Sequence, residues 1–363
     1  MNRAWTDANG NFRADCNLLD GTAQDLRASG GDFCGAFSNR NFGTTTFTNT
    51  IDPDILKGWG VRPSDWNLGL SIQREVLPRT SVEVGYFWRW FRGFAVTDNL
   101  AVTPAEFDSF SVVAPSDARL PGGGGYTVSG LYNVKPAYFG ITDNYVTSSD
   151  KYGDQYASFN GLDITVNARP TSDLTIQGGF NGGKTTADNC EIRAKLPETS
   201  PVDPYCHVVS GYLPHYKAFG SYNVPKVDVQ LGLTFTSKPG LQVSFAGTPT
   251  GNGGTLQANY SVSNAQVMQS LGRPLSGNAS NVTVNLIEPG TKYGDRINEL
   301  DLRVAKLLRF GRMRATVSAD IYNLMNAAPI LSYNEAFIPG GAWLLPTSIM
   351  TARFARLNVQ VDF

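Results

Sequence analysis

The stretch Ile297 to Phe363 decides the fold. Leu300, Leu302 and Val304 alternate with Glu299, Asp301 and Arg303. After a break at Arg309-Phe310-Gly311-Arg312, Met313, Ala315, Val317, Ala319 and Ile321 alternate with Arg314, Thr316, Ser318, Asp320 and Tyr322. The chain closes on Arg356-Leu357-Asn358-Val359-Gln360-Val361-Asp362-Phe363, with Leu357, Val359, Val361 and Phe363 on one face. Period-2 alternation sends apolar and polar side chains to opposite faces of a strand. A half-buried soluble sheet and a membrane barrel both produce it. The polar face, the strand lengths and the aromatic last residue separate the two.

The same alternation recurs upstream. Leu68, Leu70 and Ile72 oppose Asn67, Gly69, Ser71 and Gln73; Leu77-Pro78-Arg79 turns the chain, and Val82, Val84, Tyr86, Trp88 and Trp90 continue the apolar face. Tyr86 to Phe94 holds six aromatics in nine residues, as an interfacial girdle would. An aromatic patch in a soluble core is the alternative. A second hairpin joins Leu162, Ile164, Val166 and Ala168 to Leu174, Ile176, Gly178 and Phe180. A third joins Tyr216, Ala218, Gly220, Tyr222 and Val224 to Val227, Val229, Leu231, Leu233 and Phe235 across Pro225 and Lys226. Face parity predicts an even number of turn residues in the third and closing hairpins and an odd number in the first two. Residues 96–158, 187–213 and 237–296 read as long connections. Within them Gly122 to Gly125 reads as a flexible loop, and Leu256 to Val262 and Val282 to Leu286 as further strand candidates. Residues 1–65 show no sustained period, with Thr44 to Asn49 a weak strand candidate. The chain thus divides into a loop-rich segment, 1–65, and a sheet region, 66–363. Short turns alternating with long loops, and strands of about 9–11 residues or more, favour an antiparallel transmembrane β-barrel over a sandwich. On that reading Leu231, Leu302, Val317 and Val359 face lipid, and Gln230, Asp301, Thr316 and Asn358 face a water-filled lumen.

Asn298-Glu299-Leu300-Asp301-Leu302-Arg303-Val304-Ala305-Lys306, then Ala319-Asp320-Ile321-Tyr322-Asn323-Leu324-Met325-Asn326, then the Phe-terminated last strand resemble the C-terminal end of TonB-dependent outer-membrane receptors. Ile72 to Val76, Val82 to Phe87 and Arg119-Leu120-Pro121-Gly122-Gly123-Gly124-Gly125-Tyr126 extend the likeness to the large receptors that carry a carboxypeptidase-regulatory-like domain upstream of plug and barrel. The resemblance implies a 22-stranded barrel, an upstream plug, coupling to the TonB complex, and energised uptake of a substrate such as a siderophore or carbohydrate. About nine strands are legible here, so the chain reads as the C-terminal portion of a larger barrel with long extracellular loops. The resemblance also makes Leu357, Val359, Val361 and Phe363 an assembly signal read by the barrel-assembly machinery. A complete small barrel acting as a pore or adhesin, and a secreted β-sandwich binding module, are the other readings.

Composition fits and excludes. The 363 residues include 38 Gly and 15 Tyr but only 17% charged residues, a profile of long sheets with many loops. A net charge of -1 and no basic run give no reason to expect nucleic acid as a partner. No apolar h-region opens the chain, which for an exported protein is expected of a fragment. Cys16 with Cys34 and Cys190 with Cys206 predict two local disulfides in an oxidising compartment, four free thiols being the alternative. Asp7, Asn9, Asn11 and Asp15 place oxygens at calcium-loop spacing, making calcium the one candidate cofactor. Position 18 is Leu rather than the Glu of a full loop, and an Asx-rich turn explains the same residues. His207 and His215 come without a metal-ligand pattern, and no Gly-x-Ser-x-Gly elbow suggests a hydrolase, so no catalytic residue is assigned.

Overall fold

A computed structural model describes residues 2–40, 48–240, 256–311 and 313–363. Nine long strands follow one another in a single antiparallel meander. They are β1 (Ser64–Leu77), β2 (Thr80–Arg92), β3 (Tyr156–Ala168), β4 (Leu174–Asp188), β5 (His215–Val224), β6 (Val229–Lys238), β7 (Ile297–Phe310), β8 (Met313–Tyr322) and β9 (Phe354–Asp362). A short tenth strand, His207–Val209, pairs beside the end of β4. The outermost strands β1 and β9 do not pair with each other, so the sheet is all-β and open. Among the described residues no helix is long and apolar enough to cross a membrane, which says nothing of strands.

Register makes each side of the sheet continuous. Ile72 lies opposite Val84, Val84 opposite Ile164, Leu233 opposite Leu302, and Leu302 opposite Ile321. Val317 lies opposite Val359, and Leu231 opposite Val304. Residues directly opposite share a side, so the apolar sets of all nine strands merge into one face. Gln230, Asp301, Thr316 and Asn358 lie on the other.

The turns keep the expected parities, with local differences. In the first hairpin Glu75 pairs with Ser81 and Leu77 with Thr80, so Val76 is the extra residue of a bulge above a two-residue Pro78-Arg79 turn. The second leaves seven residues between the paired Ala168 and Ile176. The third turn is longer than expected. Val224 pairs with Val229, so Val227 lies in a four-residue turn, where Lys226 and Asp228 hold positive φ. The closing hairpin pairs Phe310 with Met313, and Gly311 supplies φ 62 at the turn.

The described parts of the long connections carry structure of their own. Phe107–Val113 pairs with Thr127–Val134, and Asn259–Ser263 pairs with Asn281–Asn285 and with Ala336–Phe337. The helix α1 (Asn264–Leu271) opens on a Ser263–Gln266 capping box. Together these pieces bury Phe110, Leu131, Val262, Val267, Val284 and Trp343 in a conventional hydrophobic core. We call this unit the head. The flexible-loop reading of Gly122–Gly125 is therefore corrected. Leu120 before it is buried, and Arg119 donates to the carbonyls of Gly341 and Trp343 at 3.0 and 2.7 Å while pairing with Asp117. The glycines serve a tight turn: a Cβ at Gly124 would strike the Pro115 carbonyl. The strand candidates at 256–262 and 282–286 are present as Asn259–Ser263 and Asn281–Asn285. Of the Thr44 to Asn49 candidate, residues 44–47 lie outside the described residues, and a two-residue strand is found at Thr50–Ile51.

Candidate binding surface

On the sheet the usual relation of polarity to burial is inverted. Over β7 to β9, Ala305, Ser318 and Asp320 on the polar side are buried, whereas Leu357 and Val359 on the apolar side are 80% and 68% exposed. Val304, Val317, Leu231 and Leu233 are exposed with them. Leaving one such side chain in water forgoes about 1.5–3 kcal/mol of burial. The buried Asp320 carboxylate is satisfied. Arg303 pairs with Asp320 at 3.2 Å, and Asn358 donates to the other Asp320 oxygen at 2.6 Å. Asp301 accepts the Asn323 backbone N–H at 2.8 Å, and Asn323 donates onward to the carbonyls of Ala327 and Thr351. Asn326 accepts the Arg353 N–H at 2.9 Å. The Asn323 to Asn326 corner thus ties the end of β8 to the start of β9, a physical reason for that run of residues.

Across β1 to β6 the polar side is built differently. A Cβ at Gly69 or Gly85 would meet the Phe87 ring at 3.4 or 3.2 Å, and the Phe159 ring covers Gly161 and Gly183 in the same way. Flat rings over glycines restore packing that the missing side chains would provide. Gly179 has no such cover. It sits between Thr165 and Lys217 in its cross-strand row, and a Cβ there would meet the Ile164 carbonyl at 2.8 Å and then Thr165. A cleft of about 380 Å³ opens over it, bordered by Asp163, Asn167, Gln177, Asn181, Lys217 and Phe219. A second cleft of about 770 Å³ shares Asn167 and Gln177 and runs to the turns, where Arg79 and Arg169 line it. Those two arginines are joined through the backbone, Arg169 N–H to the Arg79 carbonyl at 2.8 Å.

Aromatic residues gather near the long-connection end of the apolar side. Trp66 stacks on Trp90 at 6.3 Å, Trp88 lies 4.5 Å from Trp90, and Phe180 lies 5.4 Å from Tyr216. The Tyr86 hydroxyl donates to Asn160 at 2.8 Å. Leu357, Val359 and Val361 lie on the same apolar side, and Phe363 follows β9 almost fully exposed.

The N-terminal segment is held by a cysteine bridge. Cys16 is bonded to Cys34, and Cys190 to Cys206, each pair within its own connection. Asp7, Asn9, Asn11 and Asp15 are brought together, but their oxygens accept hydrogen bonds. Asp7 takes the N–H groups of Gly10 and Phe12, and Asp15 takes the side-chain amides of Asn9 and Asn11 at 2.6 and 3.0 Å. Among the described residues no three His, Cys, Asp or Glu side chains converge as a metal site. The organiser of this segment is Asp32, a residue that periodicity does not reveal. It is fully buried and accepts from Trp5 Nε1 at 2.8 Å, Ala8 N–H at 3.0 Å and Asp15 N–H at 3.2 Å. The Trp5 bond above all holds its carboxyl below the usual range. His207 is exposed and 2.8 Å from Asp188, while His215 lies on the polar side at the smaller cleft with its Nε2 buried and unbonded.

Compared with protein-family models and with curated proteins, the chain matches none.

Proposed function

We propose that this chain is the C-terminal part of an outer-membrane TonB-dependent receptor, its nine long strands forming part of a transmembrane barrel wall and its head lying on the extracellular side. The observation that carries this reading is the inverted polarity at the middle of β7 to β9: Val304, Val317, Leu357 and Val359 are exposed, while Ser318 and Asp320 on the polar side are buried and Asp320 is held by Arg303 and Asn358. Lipid on one side and water on the other make that arrangement favourable, whereas water on both sides penalises it. Strands of nine to fifteen residues are long enough to span when tilted. The aromatic cluster at one end of the apolar side suits a bilayer interface.

Strand direction favours a larger barrel over a complete small one. β1 and β9 both run from the long connections towards the short turns, so pairing them would be parallel. An all-antiparallel closed wall needs an odd number of further strands between them, in keeping with the even counts of bacterial barrels. Uptake of a substrate, docking of a plug and engagement of the TonB complex follow from the resemblance alone.

The test is fractionation and assembly in a Gram-negative host, using the chain in its full receptor context. Heat-modifiable migration and resistance of the sheet to protease in isolated outer membranes are the expected results. A soluble periplasmic product that keeps its sheet would overturn the reading. Deleting Phe363, and separately appending a short polar tail, asks whether the end of β9 is read during assembly, by pairing onto another sheet edge. Normal surface levels for both would remove that role.

A further inference from the structure

We infer that the polar side of β1 to β6 carries a ligand groove for an anionic, hydroxyl-rich chain, an acidic oligosaccharide. The inference rests on the reading of that side as a water-filled wall, and deepens it by naming what the wall binds.

The first argument is shape. Phe87 covers Gly69 and Gly85, Phe159 covers Gly161 and Gly183, and Gly232 faces the Arg303 side chain, whereas Gly179 packs against the Ile164 carbonyl and Thr165 with no ring over it. Gly179 lies in the floor of the smaller cleft, which continues through Asn167 and Gln177 into the larger one. Volumes of about 380 and 770 Å³ match the range of small-molecule sites.

The second argument is unspent hydrogen-bonding capacity. Among the described residues, the side chains of Asn167, Gln177, Asn181 and Lys217 make no hydrogen bond or ion pair, and neither do the guanidinium groups of Arg79 and Arg169. On β7 to β9, by contrast, Arg303 and Asn358 are both engaged by Asp320, and Asp301 holds the Asn323 backbone N–H. Amides that both donate and accept suit hydroxyls, which also do both. Phe219 pairs across the strands with Gln177 and Thr234, which sets a ring among amide and hydroxyl groups, a surface for the apolar face of a sugar.

The third argument is charge. The two clefts present Arg79, Arg169 and Lys217 against Glu75 and Asp163. Both carboxylates already have local donors, Glu75 from the Arg79 N–H at 2.8 Å and Asp163 from the Thr165 hydroxyl at 3.0 Å. Among the described residues the side chains of these cations have no partner. Arg79 further holds φ 60, a left-handed conformation uncommon for a residue with a Cβ, where a turn ordinarily takes Gly or Asn. Guanidinium pairs recognise carboxylates through two parallel hydrogen bonds. An acidic group at the turn end, with hydroxyls and ring faces extending towards Gly179, satisfies all three sets of groups at once.

The experiment titrates the full chain, refolded in detergent and shown by circular dichroism to hold its sheet, with three probes: tetragalacturonate, a neutral tetrasaccharide and a tetraglutamate peptide. Tetragalacturonate should bind at least tenfold tighter than either, with the preference over the neutral sugar shrinking as salt rises. The double variant R79Q/R169Q should bring acidic and neutral sugars to equal affinity. F219A should weaken both sugars, while R356Q on the β9 wall should change neither. Equal binding of the acidic and neutral sugars by the unaltered chain overturns the anionic part, and tetraglutamate binding as tightly as tetragalacturonate overturns the hydroxyl part. No binding of any probe overturns the groove. A chain that partitions into outer membranes yet binds no probe leaves the membrane reading standing, so the two failures are distinguishable.

Discussion

The sheet and the head obey opposite rules of burial. In the head, Phe110, Leu131, Val284, Phe337 and Trp343 are buried and polar groups line the outside or clamp carbonyls. In the sheet, Leu357 and Val359 face outwards while Asp320 and Ser318 are enclosed. One polypeptide with one composition therefore solves two solvation problems. Hydrophobic burial drives the head against water, as in any soluble domain. The sheet is held by ladder hydrogen bonds and by the Arg303–Asp320–Asn358 cluster, and on the proposed membrane reading its apolar side gains from a lipid phase. The contrast is open to attack from either region.

The strongest blow falls on the head. Trp343 is 1% exposed, its Nε1 donates to the Gln257 carbonyl at 2.7 Å, and its ring packs edge-on against Phe337. Trp343→Ala should destabilise the head by about 3–5 kcal/mol. Leu357→Ala on the sheet should cost only about 0.5 kcal/mol in a bilayer, since lipid is as apolar as the side chain removed. Limited proteolysis of the head and resistance of the sheet to unfolding report the two separately. Equal losses would mean that one kind of core serves both regions.

Charge placement sharpens the same contrast within the sheet. Leu231→Arg introduces a cation on the apolar side and should cost about 2–4 kcal/mol if it sits at mid-bilayer depth. Gln230→Arg, one residue earlier and on the polar side, should cost far less. Reversible denaturant unfolding from vesicles gives both numbers. Matching penalties for the pair would place water on both sides of the sheet.

The Cys190–Cys206 bridge tests whether the connections have stability of their own. It closes a loop of sequence separation 16 that includes the short helix Cys190–Lys195, from which Arg193 reaches the Ser200 carbonyl at 3.2 Å and the Gly130 carbonyl. Replacing both cysteines by serine should cost about 2–3 kcal/mol on loop-closure grounds. The loss should appear as earlier proteolysis near residues 196–206 with the sheet unaffected. Concerted loss of the sheet would show instead that head and wall unfold as one unit.

How much of this was legible follows from the range of the contacts involved. The nine strands could be read from the sequence because alternation is local and hairpin parity links each strand to the next, down to Leu70 opposite Tyr86 and Val317 opposite Val359. Of the head, only the two strands near 256–262 and 282–286 could be read; its core could not, because it joins Phe110, Val262, Val284 and Trp343 from segments with no shared period. Short strands of five to eight residues carry little signal alone. Arg119 and Arg273 illustrate the problem. Each looks like a surface charge in sequence, yet Arg273 bonds Asp108 at 2.7 Å and the Asn133 carbonyl at 3.0 Å, more than a hundred residues away. In the groove, Lys217 and Phe219 merely alternate with Tyr216, Ala218 and Gly220, and nothing in that alternation marks a site. The absence of a side chain at Gly179 acquires meaning only when the rings over the other glycines are seen.

The smallest effect expected is that of pH on the head, and its sign is fixed by two opposed groups of carboxylates. Burial pushes the Glu198 carboxyl above its ordinary range, with nearby Asp98 adding to the shift, and burial does the same to Glu335 against the bond it accepts from Gln257 N–H. A raised carboxyl contributes its full stability below the ordinary carboxylate range and loses it as pH climbs through the folded value. Asp52 and Asp117 are the reverse. Lys151 and Arg119, respectively, hold them below the usual range, so their contribution is present above that range and is lost as pH falls through the lowered values. At neutral pH the connections therefore keep the Asp52–Lys151 and Asp117–Arg119 pairs but carry two charged, partly desolvated glutamates. Glu198→Gln and Glu335→Gln should each raise the melting temperature of the head at pH 7.5 slightly, while still accepting the Asn99 and Gln257 N–H bonds. The advantage should vanish near pH 4, where the native glutamates are protonated and equally neutral. Thermal unfolding followed by near-UV circular dichroism of the Trp343 environment checks this, with the sheet transition as internal reference. A gain that persists at pH 4 would trace to packing rather than charge, and no gain at pH 7.5 would mean that water reaches both carboxylates.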